Sequence, residues 1–321
     1  MKKLTLISIC LVLSLSLACT GWAKSYDGKK ILFIDSYHEG YAWSDGITSG
    51  IQQTLEGTGV ELKIIRMDTK RNGSDDFKKE AALKAKAEIE AFKPDVVIAA
   101  DDNASKFLIV PYFKGGDLPF VFCGVNWDAS GYGFPAKNVT GMIEVSPTLQ
   151  LIEYLRPYAK GDKVGFLAPD IMTAKKEAEN VKKVFGLELT EYYGTDYADY
   201  KKGFMELQSQ VDILILDSTG GLYDDKAEDN KAFIEANTKI PTGSVYDFMA
   251  PYAMFNFTKV SEEQGVWSAQ AALKILDGAS PGSIPLVKNQ DGKLYVNTRI
   301  AKALKTEIAF DVLQSADVVI E

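Results

Sequence analysis

The amino-acid sequence predicts an α/β protein built as two doubly wound, parallel-sheet lobes. Strand and helix signals alternate along almost the whole chain. The strand signals are continuous apolar runs, not the in-out alternation of a half-exposed strand, which places them in parallel sheets covered on both faces. The alternation restarts near Val139–Glu144, so two units of similar size follow one another. With 321 residues, 46% of them apolar, the chain is long enough to divide into two cores.

The elements follow in order. Ile31–Ile34 is a buried strand, and Ile47, Ile51 and Leu55 mark one face of a helix over residues 44–56. Val60–Met67 alternates, as a strand nearer a sheet edge does. Phe77, Ala81, Ala85, Ile89 and Phe92 recur at helical spacing, and Pro94 ends that helix and launches Val96–Ala100. Phe120–Cys123 is a fourth strand. In the second unit Lys163–Ala168, Leu187–Tyr193, Asp212–Leu216 and Thr242–Tyr246 read as strands, with helices over residues 172–185, around 198–209 and near 226–238 between them. Tyr252–Phe257 is a further strand. Ser261–Leu276 is a long helix with Glu262 and Glu263 at its positive end and Asp277-Gly278 as its stop. Leu294–Val296 and Val318–Ile320 are short closing strands. A return of residues 252–280 to the first lobe gives three crossings between lobes.

The N-terminal residues read as a secretory signal peptide over 1–23. Lys2 and Lys3 precede the apolar run Leu4–Ala18, and Gly21-Trp22-Ala23 supplies the small residues of a cleavage site after Ala23. The run is short of the roughly 20 residues that a membrane span needs. Cys19 offers a competing reading, as the lipid-modified N-terminus of a lipoprotein. Either way the protein is expected outside the cytoplasm, periplasmic or extracytoplasmic. The formal net charge is −8 and no basic face is present, which excludes nucleic acid as a partner. Beyond residue 23 only Cys123 remains, inside an apolar strand, so neither a disulfide framework nor a thiolate metal site is expected.

Polar and aromatic residues gather where strands end. The first strand ends in Asp35-Ser36-Tyr37, with Tyr41 and Trp43 close behind; the third in Asp101-Asp102-Asn103; the fourth in Asn126-Trp127. In the second unit the corresponding ends carry Asp170, Asp217-Ser218-Thr219, and Asp247-Phe248. Asp, Ser and Asn also cap helices, so each cluster alone is open to that reading. In open α/β sheets, however, strand C-terminal ends form the ligand crevice, and all these ends are expected to face one gap. Carboxylates, amides and aromatic faces together suit a small polar ligand with an apolar part. Asp101 or Asp217 is the expected partner of an ammonium group; Ser36, Asn126 or Thr219 of a carboxylate or hydroxyl; Tyr37, Tyr41, Trp43, Trp127 or Phe248 of a side chain. Catalytic signals are thin. His38 is the only histidine, and no nucleophile elbow, phosphate loop or dinucleotide fingerprint is present. No catalytic residue, metal or cofactor is expected.

Asp35-Ser36-Tyr37-His38-Glu39-Gly40-Tyr41-Ala42-Trp43, Lys93-Pro94-Asp95-Val96-Val97-Ile98-Ala99 with Asp101-Asp102-Asn103, and Val121-Phe122-Cys123-Gly124-Val125-Asn126 resemble the substrate-binding proteins of an ABC-transporter family. Asn138-Val139-Thr140-Gly141, Pro241-Thr242-Gly243 and the stretch Ala271–Gly278 continue the resemblance in order. It implies the type I periplasmic-binding fold: two lobes joined by a three-crossover hinge, with residues 28–141 plus 252–280 in one lobe and 142–251 plus 281–321 in the other. It also implies a monomeric receptor that closes on a small molecule and presents it to an ABC permease. An amino acid, aromatic ones included, is the expected ligand and a sugar the main competitor. A sensor or chemoreceptor subunit is the alternative role, and an exported hydrolase acting through Asp101 or Asp102 is disfavoured.

Overall fold

The computed structural model describes residues 25–218, 221 and 226–321. The expected signal peptide, Cys19 and Thr219 lie outside the described residues. Two separate sheets carry the fold. The first has the strand order β11-β5-β4-β3-β1-β2, formed by β1 (Lys30–Asp35), β2 (Glu61–Arg66), β3 (Val96–Ala100), β4 (Phe120–Asn126), β5 (Val139–Glu144) and β11 (Val287–Lys288). Every pairing in it is parallel. The order reverses between β1 and β3, which is where an open α/β sheet leaves a crevice at its C-terminal edge.

The second sheet has the order β13-β12-β10-β9-β8-β6-β7, from β6 (Val164–Pro169), β7 (Leu189–Gly194), β8 (Ile213–Leu216), β9 (Thr242–Ser244), β10 (Phe255–Lys259), β12 (Gly292–Asn297) and β13 (Val318–Ile320). Only the β10–β12 pairing is antiparallel. Here the reversal falls between β6 and β8. The uninterrupted apolar runs explain both sheets: β3 and β6 are buried along their whole length, as strands covered on both faces must be.

Helices cover the faces. α1 (Ala42–Leu55) and α2 (Asp75–Phe92) flank the first sheet, and β3 leads into α3 (Asp101–Ala104), a π-turn (Ser105–Ile109) and α4 (Val110–Tyr112). α5 (Thr148–Leu155), α6 (Met172–Phe185), α7 (Tyr197–Leu207) and α8 (Ala227–Asn237) belong to the second lobe, with α10 (Thr298–Ala303) and α11 (Phe310–Ser315) near its end. α9 (Ser261–Leu276) returns to the first lobe, where Ala269, Ala271, Ala272 and Ile275 join Ile31, Phe33, Ile47 and Ile51 in one core. Its approach to α1 needs glycines. A Cβ on Gly50 would stand 2.3 Å from the Glu262 carbonyl oxygen, and one on Gly265 2.1 Å from that of Ile47.

Two boundaries read from the sequence are corrected by these pairings. Residues 252–259 were expected in the first lobe, but Tyr252, Ala253 and Met254 pack in the second core, β10 is hydrogen-bonded between β9 and β12, and the chain crosses only after Lys259. Residues 281–321 were expected in the second lobe, but β11 pairs with β5 in the first sheet. The crossings therefore fall at residues 145–147, 260 and 289–291. They are tied to one another. Val145 N–H donates to Asn289 Oδ1 (2.7 Å), Glu263 accepts from the Gln290 and Asp291 amides (2.8 and 3.0 Å), and Lys259 is ion-paired with Glu144.

Candidate ligand-binding site

The C-terminal ends of β1, β3, β4 and β5 build a cavity of about 270 Å³ lined by Tyr37, Tyr41, Trp43, Lys70, Asp101, Asn126, Glu144 and Lys259. Each lining group is held by local chemistry. Ser36, fully buried, donates to the Ala100 carbonyl (2.5 Å) and accepts from the Ala104 amide (2.9 Å), tying the end of β1 to the start of α3. Thr69 donates to the Ser36 carbonyl (2.6 Å) and accepts from Asn103 Nδ2 (2.9 Å). That network fixes the β2–α2 loop, which swings Lys70 over the faces of Tyr37 and Tyr41 at 5.1 and 5.0 Å. The two rings meet edge to face, 5.4 Å apart at 88°. Lys259 lies over Trp43 at 5.6 Å.

Asp101 is the centre of this rim. It is 1% exposed, its Oδ1 accepts from Trp43 Nε1 (3.0 Å), and its Oδ2 has no hydrogen-bond partner. Its backbone is left-handed, with φ of 69°. Of the non-glycine residues with positive φ among those described, Lys93 and Lys305 end helices, whereas Asp68, Asp101 and Trp127 surround this rim. Non-glycine residues in that region are strained. Gly124 makes room for Asp101, since a Cβ there would lie 2.7 Å from Asp101 Oδ1. Its amide donates to Gln264 of α9 (2.9 Å). Asp102 accepts from Asn126 Nδ2 (2.8 Å) and from the Tyr132 hydroxyl (2.7 Å).

The carboxylates form a seam from one lobe to the other. Burial pushes Asp101 well above the usual carboxylate range, with Glu144 and Asp35 adding to the rise. Glu144 is raised by burial, with the Lys259 ammonium opposing. Glu177 of α6 is raised by burial and also by Glu144, while the Ser146 hydroxyl that it accepts from opposes. Asp217, at the end of β8, is pushed up to about 7 by burial, against the Ser218 amide and with Glu177 adding to the rise. Asp217 is 2% exposed and its Oδ1 has no partner. Glu144 thus raises both Asp101 and Glu177, and Glu177 in turn raises Asp217. Low dielectric and like charge act together here. Among the described residues no three His, Cys, Asp or Glu side chains are arranged to hold a metal ion.

Of the residues named from sequence, Tyr37, Tyr41, Trp43, Asp101 and Asn126 line the cavity, and Asp102 and Asn103 brace its wall. Ser36 has both its hydrogen-bonding directions committed to the backbone. Trp127 turns toward α6 and meets Phe185 edge-on at 6.1 Å, beside an ion pair of Asp128 with Lys183 (3.2 Å). Asp170 is paired with Lys175. Asp247 is exposed, with its carboxylate on the Phe248 amide at 2.7 Å. Phe248 is 52% exposed and stacks on Tyr246 at 5.3 Å. Sequence reasoning missed Lys70, Glu144, Glu177 and Lys259. Lys70 follows a strand end as the acidic clusters do, a signal that could have found it; the other three become neighbours only through the chain crossings.

The pattern of the family described as ABC transporter substrate binding protein matches residues 39–320. Nothing among curated proteins matches the chain. Among solved structures, the ligand-free, open form of a substrate-binding protein with adhesive properties from Clostridium difficile is similar, with 19% identity, a TM-score of 0.68 and coverage of 91% of this chain and 99% of that one. A protein from Streptococcus pneumoniae described as an ABC domain in complex with L-Trp shares 20% identity, with a TM-score of 0.51 and coverage of 91% and 99%. A periplasmic ribose ABC transporter protein from Conexibacter woesei shares 14%, with a TM-score of 0.53 and coverage of 88% and 97%. The fold is that of the type I periplasmic binding proteins, and the chain belongs to the ABC transporter substrate-binding protein family.

Proposed function

We propose that this member of the family is exported through the signal peptide at residues 1–23, acts as a monomer, and captures an amino acid between its lobes for an ABC permease. The observation that carries the ligand class is Asp101: a buried carboxylate with one free oxygen, on a cavity walled by Tyr37, Tyr41 and Trp43. Its free oxygen takes the ligand's ammonium as a charge-assisted hydrogen bond. Lys70, whose ammonium lies over ring faces and has no ion-pair partner among the described residues, takes the ligand's carboxylate across the same cavity. The aromatic walls receive the side chain. Contacts completed only when the second lobe swings in shift the population from open to closed.

Among the described residues no nucleophile–base pair lines the cavity. His38 turns its Nδ1 to the Glu39 carbonyl oxygen at 2.8 Å. The L-Trp of the Streptococcus pneumoniae protein is in keeping with an amino acid, although that likeness carries only the fold. A thermal-shift screen of amino acids, sugars and nucleosides tests the reading, because a ligand bound only by the native state raises Tm by mass action. Amino acids are expected to raise Tm and sugars to leave it unchanged. A response to sugars alone would refute the ligand class.

A further inference from the structure

The two lobes present a matched pair of features. Each sheet reverses its strand order at one place, β1/β3 in the first and β6/β8 in the second. On the strand beside each reversal, the C-terminal end carries an aspartate that is almost completely buried, Asp101 at 1% and Asp217 at 2% exposure. Each has one carboxylate oxygen without a hydrogen-bond partner among the described residues. Each is faced by one aromatic donor, the Trp43 indole for Asp101 and the Tyr246 hydroxyl for Asp217. A buried acceptor left open is costly, and two of them at the C-terminal edges of the two sheets call for two donors. Glu144 ends β5 beside Asp101's cavity, Glu177 accepts from Ser146 on the hinge, and the cavity's lysines, Lys70 and Lys259, lie on the first rim and the hinge. An ordinary zwitterion brings one ammonium and would leave one aspartate open in the closed cleft.

We infer that the solute carries two separate cationic groups, as a basic amino acid or a short diamine does, one seated on Asp101 and the other on Asp217. This rests on the part of the preceding reading that seats an ammonium group on Asp101, and narrows it. The acidic seam along Glu144 and Glu177 follows the path between the two seats and favours a positively charged chain lying along it. Ionisation of Asp217 against its bound ammonium releases protons near neutral pH, a signature that packing alone does not produce.

Isothermal titration of the full chain at pH 7 against L-lysine, L-ornithine, L-arginine and putrescine, with L-tryptophan, L-leucine and ribose as comparators, tests it. The expected result is that at least one of the first four binds tenfold or more tighter than L-tryptophan and L-leucine. Its binding heat should depend on the buffer's own ionisation heat. In Asp217→Asn the preference should fall to within about threefold of none, while Asp170→Asn, at an ion-paired position outside the cavity, keeps it. L-Tryptophan or L-leucine binding tighter than all four of these doubly basic solutes, or a preference untouched in Asp217→Asn, overturns the inference and leaves the amino-acid reading standing. Binding of ribose alone overturns both.

Discussion

The rim of the first lobe is finished and that of the second is waiting. On the first, Ser36, Thr69 and Asn103 are knitted into one network, Asp102 is held by Asn126 and Tyr132, and strained backbone at Asp68, Asp101 and Trp127 is kept in place by its surroundings. A cavity already exists there. On the second, Phe248 and Met172 are 52% and 71% exposed, Asp170 and Asp247 are occupied by local partners, and Asp217 is the least exposed of its acids among the described residues. A preorganised platform binds without reorganising, whereas groups left apolar and exposed gain most when something covers them. On the proposed reading, the first lobe docks the solute and the second completes its enclosure.

The largest expected effect separates Asp101 and Asp217, both raised by burial, from ordinary surface acids. Asp217 is raised from 3.8 to about 7 by folding. A group raised in this way contributes stability that is complete below its unfolded value and is lost as pH rises through about 7. That loss amounts to at most about 4 kcal/mol. Urea denaturation across pH 4 to 8 is therefore expected to show falling stability, and Asp217→Asn to flatten the fall. An unchanged slope in Asp217→Asn would place the cost elsewhere.

Next comes the hinge, which joins the two rims. Lys259→Ala leaves Glu144 buried without its partner, and removing one member of a buried pair is strongly destabilising. Because Lys259 is partly exposed, a loss of about 2 kcal/mol is expected by denaturant titration, and Glu144→Gln in the same chain should recover most of it. Smaller again is Trp43→Phe, which keeps the wall of the cavity but removes the indole donor to Asp101. Amino-acid affinity should fall about tenfold by calorimetry, the equivalent of roughly 1.4 kcal/mol. Asp247→Ala, on the exposed second rim, should change affinity less than twofold; a tenfold loss there would mean that the second rim is as finished as the first.

The strands were legible because continuous apolar runs such as Val96–Ala100 and Ile213–Leu216 have few other uses, and Pro94 marks where one helix must stop. Much of the first rim was legible for a similar reason, since a strand ending in Asp101-Asp102-Asn103 points to the edge where ligands bind. Ser36 shows the limit. Its side chain is of the type that holds ligands or caps helices, and only the positions of the Ala100 carbonyl and Ala104 amide decide between them. The β10 strand was assigned to the wrong sheet because its apolar pattern is the same whichever neighbour it pairs with. Glu144, Glu177 and Lys259 were invisible because a lysine far along the chain becomes the partner of a glutamate only after the lobes are stitched together.

Distance across the cleft tests most directly the claim that one solute is gripped by both lobes. Cys123 is fully buried, so labels can be placed selectively at Glu39→Cys on the first rim and Met172→Cys on the second, both exposed sites. Saturation with an amino acid that raises Tm is expected to shorten the distance between the labels and narrow its distribution. An identical distribution with and without that ligand, at concentrations where binding is complete, would contradict capture between the lobes.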